Sequence, residues 1–388
     1  MSHHVLAWEI DPRDPDMFVV FCDDQHLYSF DRRNSAFHSL ALLESIAQFD
    51  SIMLYLHGDY ICVVENFATH GVVFNRNNAT TMPIEREDYH AGVSSYSIGF
   101  LERNGHTLLI HQTQWNRLDI TDLTTGQLLT ERVIRHEKIG VDENHVTQFI
   151  AENFADFFHG LILVSPNCKR FLSNGWVWHP MGTIACYDLE QFLKTYEPGG
   201  YYTFGTDNWD IPCAFLDDTT FIVGCSQDMT DYGDNWDVEQ DENHVQKLLF
   251  YNMNTTRERT EEPINVLATV ESTKAIDADI FPMDEFGAVN GRLYFDDQTR
   301  QLIAMSERGT YILTLDGKAV AHRADITFPY WVPPCWKSLR PVVDCVNWKY
   351  SPQHRLFHSW SSERQTVDVL PLDDLLASHF PLPLQGGQ

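Results

Sequence analysis

The chain has 388 residues, of which 55 are acidic and 27 are basic, so its formal net charge is −28. A surface of this sign repels nucleic-acid phosphates and anionic lipid headgroups, and it attracts basic proteins and cations. No run of about eighteen apolar residues is present, so we expect no membrane-spanning helix. The first residues, Met1 to Asp16, contain neither a basic nor an apolar signal region, so we expect a cytoplasmic protein.

A loose unit of about forty residues recurs along the chain. Its best copy runs from Gly160 to Phe192. This copy contains an apolar strand, a Ser-Pro-Asn turn, a second strand, an aromatic loop and a third strand. Short strands separated by turn signals at such a period are typical of β-propeller blades. The sequence therefore predicts an all-β fold.

Seven segments can be superposed on this unit, in chain order. They begin at Phe18, Ser51, Ser94, Gly160, Cys213, Gly291 and Val343. Strong turn signals lie at Asn104-Gly105 in the third segment and at Asp316-Gly317 in the sixth. We therefore predict a seven-bladed β-propeller with one or two short insertions, and six or eight blades are the alternatives.

Some segments do not fit the unit. The segment from His136 to Phe158 has partly helical spacing and is interpreted as a helical insertion between blades. We expect the N-terminal strand Val5 to Ile10 to complete the last blade and lock the ring. Residues 1–375 are predicted to form a single propeller domain, followed by a flexible Pro- and Gly-rich tail over residues 376–388.

The fourth unit carries a resemblance to a known superfamily. The run Ser165-Pro166-Asn167-Cys168-Lys169-Arg170-Phe171-Leu172 resembles the S-P-D-G-K-x-L signature of WD40-like and related bacterial β-propellers. This chain has Asn167-Cys168 where that signature usually has Asp-Gly, and the seventh unit retains only Ser351-Pro352. The resemblance does not identify a subfamily. It implies a platform for protein interactions and carries over no catalytic residue.

Unusual side chains recur in one set of loops. In a four-stranded blade, the loop between the second and third strands opens on the same face as the loops between successive blades. On that face we predict a binding surface formed by Trp115, Trp176, Trp178, His179, Trp209, Tyr232, Trp236, Arg308 and Trp360. Aromatic and Arg side chains are the usual anchors of such surfaces. The alternative for any single tryptophan is packing between adjacent blades.

The acidic loop from Asp228 to His244 does not have the spacing of an EF-hand, because no Gly occupies the bend. A solvated insertion is the simplest interpretation, and capture of a basic partner or an irregular cation site are the alternatives. The eight cysteines include no CxxC pair, which argues against zinc and favours reduced, buried thiols. We predict no metal and no cofactor.

Catalytic motifs are missing from the sequence. It contains no G-x-S-x-G elbow, no Walker-type loop and no H-E-x-x-H. We therefore expect a cytoplasmic protein-binding module that docks a protein partner, with a basic partner favoured by the net charge and with no nucleic acid or membrane as partner. The alternative is a propeller hydrolase or lyase with a metal in the central channel.

Overall fold

The structure is a computed structural model, and its described residues are 4–46, 51–131, 136–141, 147–151, 157–177, 181–195, 201–202, 209–225, 246–257, 268–282, 289–329 and 347–377. Within them the chain forms seven successive antiparallel units of three or four strands, the blades of a β-propeller. The prediction of a seven-bladed, all-β propeller is therefore confirmed.

Blades 1 to 3 are four-stranded sheets whose strands pair in chain order. The strands of blade 1 are β1 (Val5–Ile10), β2 (Met17–Cys22), β3 (His26–Asp31) and β4 (Ala36–Leu42). Those of blade 2 are β5 (Ile52–His57), β6 (Tyr60–Glu65), β7 (His70–Asn75) and β8 (Thr80–Glu85). Those of blade 3 are β9 (Ile98–Arg103), β10 (His106–Gln114), β11 (Arg117–Asp122) and β12 (Gln127–Leu128).

Blades 4 and 5 are joined into one eight-stranded sheet, because their outermost strands pair in parallel. Blade 4 contains β15 (Phe158–Val164), β16 (Arg170–Val177), β17 (Met181–Asp188) and β18 (Tyr201–Tyr202), with helix α1 (Leu189–Thr195) before β18. Blade 5 contains β19 (Cys213–Phe215), β20 (Thr220–Cys225), β21 (Lys247–Arg257) and β22 (Ala268–Asp277). The joining pair is β18 and β22.

Blades 6 and 7 complete the ring. Blade 6 contains β23 (Arg292–Asp296), β24 (Gln301–Ser306), β25 (Gly309–Thr314) and β26 (Ala319–Arg323). Blade 7 contains β27 (Trp348–Ser351), β28 (Leu356–Ser361) and β29 (Thr366–Pro371), and helix α2 (Leu372–Ala377) follows it. Leu372 and Leu375 of α2 are fully buried in the junction of blades 6 and 7. Residues 378–388 of the predicted tail lie outside the described residues.

An additional hairpin lies between blades 3 and 4. It consists of β13 (His136–Val141) and β14 (Thr147–Ala151), which pair only with each other. The prediction of a helical insertion here was wrong: the segment is an insertion, but a β-hairpin. The two short paired strands satisfy each other's backbone hydrogen bonds, and this pairing outweighs the weak helical spacing.

The first strand of each blade is its innermost strand. Neighbouring first strands contact one another from blade 1 through to blade 6, as expected for strands arranged around a common axis. Every junction between blades is filled by its own buried apolar cluster. At the junction of blades 1 and 2, for example, Phe21 packs with Leu54 and Val63. Burial of the apolar faces of neighbouring sheets against each other is therefore what holds the ring together.

The ring closes without a shared strand among the described residues. Strand β1 pairs with β2 and belongs to blade 1, so the expectation that Val5 to Ile10 completes blade 7 was wrong. The short link from Asp11 to Asp16 lets β1 form a hairpin with its immediate neighbour, which brings strands together at little entropic cost. We call the contact between blades 7 and 1 the seam.

The seam combines apolar packing with one charged cluster. Trp8 and Phe18 of blade 1 pack with Val367 of blade 7. Lys349 Nζ donates to the Trp8 carbonyl at 2.5 Å and lies 3.1 Å from Glu9 Oε2. His358 Nε2 lies 3.3 Å from Glu9 Oε1. Burial acts to raise the pKa of Glu9, but Lys349 and His358 outweigh it and hold that pKa at about 2.

No described helix is long and apolar enough to cross a membrane. The described cysteines are free thiols, and all of them except the half-exposed Cys168 are buried.

We predict that Lys349→Met lowers the free energy of unfolding at pH 7 by about 1–3 kcal/mol, because the partly buried Glu9 carboxylate loses the ammonium group with which it is paired. The Glu9 pKa is lowered on folding, so its contribution is complete above the ordinary value of 4.5 and is lost as the pH falls towards about 2. The difference between wild type and variant should shrink over that interval. Urea unfolding at a series of pH values measures it.

The matched control is Arg364→Met, which removes an exposed pair with Asp368 in the same blade. An exposed pair contributes little, so we expect a change below about 0.5 kcal/mol. Equal losses in the two variants would show that the Glu9 cluster has no special role at the seam.

Candidate functional site

One face of the propeller collects two kinds of loop. Because the strands of each blade alternate in direction, the turns between second and third strands open on the same face as the links from one blade to the next. We call this the loop face. The turns between first and second strands, and between third and fourth, open on the opposite face.

Four aromatic rings form a continuous stack on the loop face, at the junction of blades 3, 4 and 5. The centroids of Trp115 and Phe158 are 4.3 Å apart, and those of Phe158 and Trp176 are 3.7 Å apart with nearly parallel planes. Trp209 stacks on Trp176 at 4.6 Å, again nearly parallel. We call these residues the aromatic stack. Phe158 and Trp176 are buried, and Trp115 and Trp209 at the two ends are partly exposed.

The stack is built by local irregularities in the strands. Phe158 and Trp176 are paired across β15 and β16, and a register shift between Phe158 and Leu161 bends β15 at this point. Gly175 permits the close approach, because a Cβ atom there would lie 1.9 Å from the Phe158 carbonyl oxygen. The indole Nε1 of Trp176 donates to Ser94 Oγ at 3.0 Å, which fixes the ring's orientation.

Two further aromatic rings cover the edge of the stack. Tyr89 and His90 lie in the link between blades 2 and 3, and their rings meet edge to face at 4.4 Å. Tyr89 contacts Trp115 at 5.7 Å, and His90 contacts Trp176 at 5.8 Å. Tyr89 is 48% exposed. The stack thus ends in an aromatic surface that solvent reaches.

The link that carries these residues is anchored by Arg86. This side chain is buried, and its guanidinium donates to five backbone carbonyls and to Gln112 Oε1 at 2.7 Å. The five carbonyls belong to Asn66, Ala68, Ala91, Ser94 and Ser95. The guanidinium also lies 4.6 Å from the centre of the Tyr96 ring. Burial lowers the pKa of Arg86 to about 10, so it stays charged at neutral pH.

A carboxyl group lies directly beside the stack. Asp210 follows Trp209 in the chain, and Ser95 Oγ donates to its Oδ2 at 3.2 Å. Burial raises the pKa of Asp210, and nearby Arg292, at the start of the innermost strand of blade 6, offsets part of that rise. Ser94 and Ser95 therefore tie the link between blades 2 and 3 to the stack and to the inner strands.

The structure brings three of the predicted site residues together and separates the others. Trp115, Trp176 and Trp209 all belong to the aromatic stack. Arg308 lies on the loop face in the β24–β25 turn of blade 6, half-exposed and 3.5 Å from Asp279. Trp360 packs at the seam against Phe30 and Phe37 of blade 1. Trp178, His179, Tyr232 and Trp236 lie outside the described residues, as does the acidic loop from Asp228 to His244.

Sequence reasoning missed the residues that lie between the repeated units. Phe158, Tyr89 and His90 complete the aromatic surface, and Arg86 anchors it. The signal available was the density of aromatic residues just outside the repeated units, in Asp88-Tyr89-His90 and Phe157-Phe158-His159. Within the described residues, no group of three or more His, Cys, Asp or Glu side chains could hold a metal ion.

The comparisons with known proteins agree with this architecture. No protein-family model matches the chain. No curated protein matches it. Among solved structures, the chain is similar to the Pan2 WD40 domain of Neurospora crassa, with 9% identity, coverage of 95% of this chain and 88% of that chain, and a TM-score of 0.48.

Two further solved structures are similar to this chain. For the β-propeller domain of Cps50 (Swd1) from Myceliophteria thermophila the identity is 9%, the coverage is 95% and 97%, and the TM-score is 0.50. For Hsv2 of Kluyveromyces lactis the corresponding values are 8%, 95% and 98%, and 0.44. At such identities the likeness concerns the fold alone. The chain has the fold of WD40-type β-propellers, which confirms the resemblance seen in its fourth unit.

We predict that Arg86→Met lowers the free energy of unfolding by about 2–4 kcal/mol, because it leaves buried carbonyls without donors. It should also release the link between blades 2 and 3 and make it sensitive to proteolysis. Denaturant unfolding and limited proteolysis test both effects. Arg300→Met, which changes an exposed arginine of blade 6, is the control, and similar behaviour of the two variants would contradict the anchoring role.

Proposed function

We propose that this chain is a protein-binding module that docks a protein partner on the loop face of its propeller. The observation that carries the proposal is the aromatic stack together with Tyr89, which offers a rigid aromatic surface where three blades meet. Large aromatic side chains held in place before binding are the residue types that supply most of the energy at protein interfaces.

The geometry also supports docking of a protein rather than enclosure of a small ligand. The rings of Tyr89, His90, Trp115 and Phe158 pack directly on one another, with centroids 4.3 to 6.1 Å apart. Such rings present an outer surface instead of enclosing a cavity. A partner would therefore lie across the stack, with Trp115 and Tyr89 as contact points.

The formal net charge of −28 favours a basic partner and disfavours nucleic acids and anionic membranes. Complementary charge accelerates encounter and selects against acidic competitors. We include a cytoplasmic location in the proposal. No observation favours the alternative of a hydrolase or lyase with a metal in the channel.

We predict that Trp115→Ala and Trp209→Ala each weaken partner binding by about tenfold or more, because both rings end the stack at the surface. Affinity purification from native cells with wild type and variants, followed by mass spectrometry, identifies proteins whose recovery depends on these rings. Recombinant candidates are then titrated to obtain dissociation constants.

The matched control is Val320→Ala, which truncates an apolar side chain that is 43% exposed at the start of β26, beside the β25–β26 turn on the opposite face. Its binding should equal that of wild type. Thermal unfolding of every variant confirms that the fold is retained. If folded Trp115→Ala and Trp209→Ala proteins recover every wild-type partner, the loop face is not the docking surface.

A further inference from the structure

Glu87, Asp88 and Tyr89 form an exposed corner of the loop face, which we call the 87–89 corner. All three side chains are exposed, and Tyr89 is the most exposed large apolar side chain among the described residues. Within the part of the chain that the structure describes, neither the Glu87 nor the Asp88 carboxylate accepts a side-chain hydrogen bond or forms a close ion pair, although the Asp88 charge acts to raise the pKa of the buried Arg86. Two exposed carboxylate residues thus directly precede an exposed aromatic residue in the chain.

The corner is held rigid from below. The Glu87 amide donates to the Thr113 carbonyl at 3.0 Å, and the Ala91 amide donates to the Asp88 carbonyl at 3.1 Å. Arg86, the preceding residue, binds the Ala91 carbonyl from the buried side. The Tyr89 ring rests on Trp115. A ligand would therefore find these groups already in position, and little ordering would oppose binding.

The chemistry of the corner fits a guanidinium group. Arginine stacks its planar cation on an aromatic ring and donates two parallel hydrogen bonds to a carboxylate, whereas an ammonium is a compact and strongly hydrated charge. The chain itself contains this arrangement: Arg300 lies 4.9 Å from the centre of the Phe295 ring while its Nη1 is 3.3 Å from Asp297 Oδ1. The corner has the ring and the carboxylates, and the guanidinium of the adjacent Arg86 is buried and bonded to backbone carbonyls instead of stacking on Tyr89.

A cage for a methylated ammonium does not fit the same geometry. Such a cage needs rings spaced so that the cation enters between them. Around Tyr89 the ring centroids of His90, Trp115 and Phe158 lie 4.4, 5.7 and 6.1 Å away, in direct packing contact. Only the outer surface of Tyr89 is open, and a flat cation stacks on an outer surface.

We propose that the 87–89 corner binds an arginine side chain of a basic protein segment, with the guanidinium stacked on Tyr89 and paired with Glu87 and Asp88. This inference rests on the proposed function, because it names the group by which the partner engages the loop face. The recognised class is an arginine-containing basic peptide.

The test uses a fluorescein-labelled peptide of repeated Arg-Gly-Gly units, with lysine and citrulline peptides of the same length. Anisotropy titrations with the full chain are run at about 150 mM salt, where long-range attraction is screened. We expect the arginine peptide to bind about fivefold more tightly than the lysine peptide and the citrulline peptide to bind only marginally. Equal binding of arginine and lysine peptides would overturn the proposal.

Variants locate the binding. Glu87→Gln with Asp88→Asn should weaken the arginine peptide at least about fivefold. The control pair, Asp297→Asn with Asp316→Asn, removes the same charge from turns on the opposite face and should change affinity by less than about twofold. Tyr89→Phe keeps the ring and should bind like wild type, whereas Tyr89→Leu keeps apolar bulk without the ring and should lose about threefold. Equal losses from both carboxylate pairs would show diffuse attraction only and overturn the proposal.

The two proposals fail in different ways. A native partner that is lost with Trp115→Ala but fully retained with the Glu87 and Asp88 double variant would leave the loop face standing and overturn the arginine site. The opposite result is that the arginine peptide requires the 87–89 corner while native partners still bind the Trp115→Ala and Trp209→Ala variants. This result would support the arginine site and overturn the docking function as stated.

Discussion

The structure depends on apolar burial between neighbouring sheets around a closed ring. Each junction has its own cluster, and each sheet covers the next, so the removal of one contact would expose two apolar faces. Six junctions join segments that follow each other in the chain, and the seam joins its two ends. At the seam, blades 7 and 1 are joined by the apolar packing of Trp8 and by the contacts of Glu9 with Lys349 and His358.

Closure of the ring also explains why the aromatic stack can exist. Trp115, Phe158, Trp176 and Trp209 come from the ends of strands and links in three successive blades. Only the regular angular step between blades places them in one line. The buried guanidinium of Arg86 then adds a polar anchor under the same surface, bonded to backbone carbonyls and to Gln112. The loop face therefore has an exposed aromatic ring, Tyr89, on a backbone link that the buried Arg86 holds in place.

The blades were predictable from the sequence because their signals are local. Asn104 and Gly105 both have positive φ, at 54° and 79°, as the hairpin between β9 and β10 requires, and the sequence pattern placed a turn there. The fourth unit, Gly160 to Phe192, corresponds to β15 to β17 with α1. The errors came where the residue pattern did not reveal which segments pair: spacing from His136 to Phe158 suggested a helix where β13 pairs with β14, and β1 was assigned to blade 7 although it pairs with β2.

The candidate site was predictable only in part, for the same reason. Superposed loops selected Trp115, Trp176 and Trp209, but they also selected Trp360, whose neighbours Phe30 and Phe37 are more than 300 residues away in the chain. Tyr89 and His90 lie in a link, and Phe158 begins β15 just before the fourth repeated unit, so no superposition of the units could select them. Contacts made between neighbouring blades outside the repeated units, or at the seam, leave no periodic trace in a sequence.

The parallel pairing of β18 with β22 has a consequence beyond architecture. The outer rim of a propeller normally offers each blade's last strand as an open template on which a foreign strand can add, a familiar beginning of aggregation. Here the last strands of blades 4 and 5, β18 and β22, pair with each other. They lie outside the junction that carries Trp176 and Trp209. Where β18 and β22 pair, their backbone groups are not open to a strand of another protein. Another protein that binds there must contact side chains instead.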